Sequence, residues 1–101
     1  MNIETTFPLR IYINLTRRQD RRFAVMDELE AAGLQAKRFP AVDGKRLGWQ
    51  GGFASPGYHA LAITNRMVLR RAQLQKAPAV LMMEDDVVFH PRFRELAAQI
   101  F

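Results

Sequence analysis

The chain has 101 residues, 49% of them hydrophobic and 25% charged, with a net charge of +5 and no cysteine. These are the proportions of an ordinary globular protein with one domain and a modest core, and the missing cysteines exclude disulfides and thiolate metal sites. No apolar run nears the roughly 18 residues of a membrane span, and the opening MNIETTFPLR lacks the basic and apolar regions of a signal peptide, so a cytoplasmic protein is expected.

The first element is LRIYINL, residues 9–15, which puts Leu9, Ile11, Ile13 and Leu15 on one face and Tyr12 on the other. That pattern predicts a strand covered on both sides. TRRQDRRFAVMDELEAAG follows, with Phe23, Met26, Leu29 and Glu30 at helical spacing. Thr16 with Gln19 fits a capping box and Asp20 is an equally good N-cap, while Gly33 stands where a terminating glycine belongs. LQAKRF predicts a short second strand ending near Phe39, before Pro40. AVDGKRLGWQGGFASPG then holds five of the six glycines and reads as a long loop, functional or mobile.

A second helix is expected over 58–75, burying Leu61, Val68 and Ala72 with help from Leu69, and Pro78 precludes its continuation. AVLMM predicts a third strand. HPRFRELAAQIF predicts a last helix with Pro91 at its first position and Phe93, Leu96, Ala97 and Ile100 on one stripe. The order β-α-β-loop-α-β-α argues for an α/β fold with a parallel sheet and right-handed crossovers over residues 1–101.

Ligands of such sheets bind beyond the carboxyl ends of the strands. Polar groups stand at all three ends: Asn14 to Arg18, Asp43, and Glu84 to Asp86. Adjacent carboxylates at Asp85 and Asp86 suit Mg²⁺ or Mn²⁺ bridged to phosphates. The plainer reading pairs one acid with an arginine and caps a turn with another. NLTRRQDRR supplies a helix start and arginines for an anion, or surface arginines paired with Asp20, Asp27 or Glu28. Asp43 in AVDG suits a ribose hydroxyl or base edge, or makes an ordinary turn. Trp49 and Phe53 stack on a base or sugar, or pin the loop; the second reading is favoured. His59 and His90 lack ligand spacing, and His90 reads as a helix-start residue.

Three blocks, IYINLTRRQDRR, RFPAVDG and AVLMMEDDVVFHPRF, together resemble glycosyltransferase family 25, the lipooligosaccharide galactosyltransferase-like proteins. The resemblance implies the first part of a GT-A, Rossmann-like nucleotide-sugar domain, truncated relative to the family. It implies metal-dependent transfer of a hexose from a UDP-sugar to a saccharide acceptor such as a lipopolysaccharide or other cell-surface glycan. On it, Asn14, Arg17, Arg18, Asp20 and Arg21 serve the nucleotide, Asp43 lies near the nucleoside, and Asp85 and Asp86 hold Mn²⁺ or Mg²⁺.

The family block G-C-x-L-S-H falls here on Ala60, Leu61, Ala62, Ile63, Thr64 and Asn65, with Leu69 at the place of a tryptophan. Asn65 hydrogen-bonds but carries no proton at neutral pH. No residue stands out as the catalytic base.

The other readings are a non-catalytic binding module, associating with another chain through an open sheet edge, and nucleic-acid binding from charge alone. The net charge favours anionic partners, a membrane surface among them. Nucleic acid is not expected, because the aromatics form no stacking row on a strand. Self-association through exposed helix faces is expected.

Overall fold

The computed structural model describes residues 2–46 and 56–101. Three strands, β1 (Leu9–Asn14), β2 (Lys37–Pro40) and β3 (Val80–Glu84), form one sheet in the order β2-β1-β3. Both pairings are parallel: Ile11 stands opposite Lys37, and Leu9 opposite Val80. Among the described residues four helices accompany them: α1 (Ile3–Thr6), α2 (Gln19–Ala32), α3 (Pro56–Leu74) and α4 (Phe93–Ile100). A 3-10 turn, Gly44–Arg46, follows β2. The α/β parallel fold read from the sequence is therefore the observed one.

β1 is central, and its side chains feed two cores. Tyr12 joins Val25, Leu29, Leu34 and Met83 on the face covered by α2. Leu9, Ile11 and Ile13 join Phe39, Val68 and Ala72 on the face covered by α3. The continuous apolar run in β1 thus reflects burial on both sides.

The helix faces are narrower than the spacing suggested. In α2 the buried stripe is Val25 and Leu29, whereas Phe23 is 59% and Met26 44% exposed. Leu69 of α3 and Leu96 and Ile100 of α4 are also exposed, although Val68, Ala72 and Ala97 are buried as expected. A three-stranded sheet offers each helix one narrow seam, so apolar residues beside the i, i+4 line stay outside it. Pro91 lies ahead of α4, whose N-cap is Arg92.

Neither Thr16 nor Asp20 caps α2. The N-cap is Arg18, without a side-chain bond, because Thr16 Oγ1 accepts from Arg38 Nη2 (3.1 Å) and Asp20 holds the Arg18 guanidinium. At the other end Gly33 adopts φ +66°. Its N–H donates to the Glu30 carbonyl and that of Leu34 to Leu29, a Schellman closure that needs the left-handed region. α1 was not expected from the apolar pattern. It is a single turn closed by an Asn2–Thr5 capping box. Trp49 and Phe53 lie outside the described residues.

Candidate functional site

The carboxyl ends of all three strands open into one cavity of about 380 Å³. From the end of β1 and the start of α2 come Ile13, Leu15, Arg17, Arg18 and Arg21. The segment after β2 gives Ala41 to Lys45, the first half of α3 gives Gly57, Ala60, Leu61 and Thr64, and β3 with the turn after it gives Glu84 and Asp85. The order β2-β1-β3 explains the place. The chain leaves β1 toward one side and returns to the other, and the connections part over the strand ends, leaving a crevice.

Asn14 organises the floor. It is 1% exposed and does not line the cavity. Its Nδ2 donates to Asp85 Oδ2 at 2.8 Å and to the Arg18 carbonyl at 3.1 Å, while its Oδ1 accepts from Arg38 Nε at 3.0 Å. Arg38 also donates to the Asn14 carbonyl. One amide therefore links the ends of β1, β2 and β3. Arg38 was not a candidate from the sequence, where it opens the block RFPAVDG without a role of its own. Thr64, which the sequence reading placed at the serine of the family block, was given no role there. It is fully buried, accepts from the Val42 N–H at 3.0 Å and donates to the Ala60 carbonyl, so it ties the segment after β2 to α3.

The plainer reading is realised in part at the rim: Arg18 takes Asp20, but neither Asp27 nor Glu28 pairs with an arginine among the described residues. Arg17 Nε donates to Asp43 Oδ2 at 2.9 Å. Arg18 grips Asp20 with two bonds, 3.0 and 2.9 Å. Arg21 approaches Asp85 Oδ1 at 3.6 Å. The Arg18 fork holds the Asp20 carboxyl down at about 2, and Asp20 in turn raises the Arg18 guanidinium. Asp43 is lowered first by the Lys45 N–H that its Oδ1 accepts and then by Arg17. It is a turn-forming aspartate and an ion-pair partner at once. Asp20 pairs with Arg18 outside the lining, and Asp86 is exposed and also outside it. Four cations (Arg17, Arg18, Arg21 and Lys45) face three carboxylates (Asp43, Glu84 and Asp85) around the cavity. No cluster of three or more metal-ligating side chains occurs among the described residues.

No protein-family model and no solved structure matches the chain. Curated relatives do. The proteins named "Glycosyltransferase 25 family member" from Drosophila pseudoobscura pseudoobscura and Drosophila melanogaster are 36% and 34% identical to it over 108 and 110 residues. That from Aedes aegypti is 30% identical over 107 residues. Each match covers 87% of this chain but only 17–18% of the relative. The three blocks that suggested this family supply most of the cavity wall. The chain is thus a homologue of the glycosyltransferase 25 family, corresponding to one segment of those longer proteins.

Proposed function

We propose that this chain forms the donor-binding part of a glycosyltransferase, holding the diphosphate of a UDP-sugar whose hexose passes to a saccharide acceptor. A lipopolysaccharide or other cell-surface glycan is the acceptor class that the family resemblance implies. The observation that carries the reading is the cavity beyond three parallel strand ends, with Arg17, Arg18, Arg21 and Lys45 on its wall. The names of the relatives support the same class of activity.

In this reading the arginines recognise the diphosphate by charge-assisted hydrogen bonds, with Arg18 exchanging Asp20 for phosphate oxygens. Asp43 lies on the nucleoside side, where its carboxylate can accept from a ribose hydroxyl. Asn14 fixes Asp85 from beneath, so that carboxylate meets the ligand in one orientation.

Mn²⁺ or Mg²⁺ requires only one or two carboxylates when phosphates complete its shell. Asp85 and Glu84 line the cavity together and fit that need, with Asp85 Oδ1 held, among the described residues, by the long contact to Arg21. Asp86, paired with Asp85 in the sequence reading, is not part of the lining. When bound, such an ion supplies Lewis acidity to the departing diphosphate.

Calorimetry of UDP binding in Mn²⁺ and in chelator tests the proposal. Binding should need the ion, should be lost in Asp85→Asn and should persist in Asp86→Asn. Equal affinity with and without Mn²⁺ rejects the metal, and no UDP binding in either condition rejects the donor site.

A further inference from the structure

We infer that the outer face of the second half of α3 docks on an anionic lipid surface. The segment 56–76 contains no aspartate or glutamate, and its second half carries Arg66, Arg70, Arg71 and Lys76. None of these four enters an ion pair among the described residues. Exposed aliphatic side chains interleave with them. Met67 is 46%, Leu69 55% and Leu74 69% exposed, and they line a shallow groove with Arg66 and Arg70. Arg71 is committed inward, its guanidinium 4.8 Å over the Phe39 ring. The remaining cations and the aliphatics share the solvent side.

Charge decides the occupant. A second copy of this chain docking through the same face would set unpaired arginines against arginines. Nucleic acid would satisfy the cations but leave Met67, Leu69 and Leu74 in water, and among the described residues the patch offers no exposed aromatic for stacking. An interface of anionic headgroups over acyl chains satisfies both. Lys and Arg take the headgroups, and the aliphatic side chains enter the boundary region, as in helices that lie flat on membranes. The first half of α3 lines the cavity, so one rigid element would join the lipid surface to the site. The inference does not depend on the donor-binding reading.

Co-sedimentation with vesicles of equimolar phosphatidylglycerol and phosphatidylcholine, against phosphatidylcholine alone, tests it. The chain should pellet with the anionic vesicles only. Arg66→Glu with Arg70→Glu should lower the partition by roughly tenfold or more, and Leu69→Ser with Leu74→Ser should weaken it by several-fold. All four positions are exposed, and circular dichroism checks that each variant is folded. Equal binding to neutral vesicles, no binding to anionic ones, or binding untouched by the arginine reversals overturns the proposal. Loss on arginine reversal but not on the leucine changes, with duplex DNA competing, would assign the patch to nucleic acid instead.

Discussion

Asn14 donates to Asp85 across 71 residues of chain, and the same amide accepts from Arg38. Its side chain is therefore a joint between three strands. Asn14→Leu keeps much of the volume but leaves the Asp85 carboxylate and the Arg38 guanidinium each short of a partner. Unsatisfied buried groups cost about 1–3 kcal/mol each, so we expect a loss of about 2–3 kcal/mol. Urea denaturation measures it, and an unchanged midpoint would remove Asn14 from this role.

Asp20 should titrate at about 2, well below its ordinary 3.8. The sign follows from the depressed folded-state value. The stabilising contribution is present above the unfolded value near 3.8 and is lost as pH falls from there through about 2. Carboxyl NMR through an acid titration should find that low midpoint, and Arg18→Ala should return it toward the ordinary value. A midpoint left low in Arg18→Ala would assign the shift to backbone donors instead.

Freeing Arg18 should also favour an anion. Asp20→Asn weakens the two-bond grip on the guanidinium, so phosphate no longer competes with a full carboxylate. UDP should bind Asp20→Asn more tightly than the parent chain, by calorimetry under identical salt. Weaker binding would mean that Asp20 orients Arg18 productively.

Asp43 has two duties that substitutions separate. Asp43→Asn keeps an oxygen for the Lys45 N–H but loses the charge facing Arg17, whereas Asp43→Ala loses both. The melting temperatures should therefore rank parent, then Asn, then Ala. Equal melting of the two variants would show that the turn bond contributes nothing.

Gly33→Ala should destabilise by about 1 kcal/mol, and Gly33→Asn by less, because asparagine tolerates the left-handed region better. A Cβ there would meet Arg94 Nε at 3.5 Å, an ordinary contact, so the cost is conformational and not steric. Thermal melts distinguish this from a packing effect, in which Asn would cost more than Ala.

The sequence by itself determined the β-α-β-loop-α-β-α order and the parallel sheet, though not the single-turn α1 ahead of them. Apolar runs bounded by Gly33, Pro40 and Pro78 are local signals, and strands separated by helices have few ways to pair. It also determined that polar groups would gather at the strand ends, since a strand's direction fixes where Arg17, Asp43 and Asp85 emerge. Tertiary structure decided what those groups do. The spacing of Phe23, Met26, Leu96 and Ile100 shows an apolar face but not the width of the seam that receives it, and these four remain exposed. Thr16 reads as a cap until Arg38, from another strand, takes its hydroxyl. Glu84, Asp85 and Asp86 are indistinguishable as a run of acids. The place where β3 ends separates them: Glu84, its last residue, and Asp85, the first of the turn after it, reach the cavity wall, while Asp86, next in the same turn, is exposed outside it. Each of these outcomes depends on a partner far away in the chain, and pairing at that range is set by packing, which no local pattern encodes.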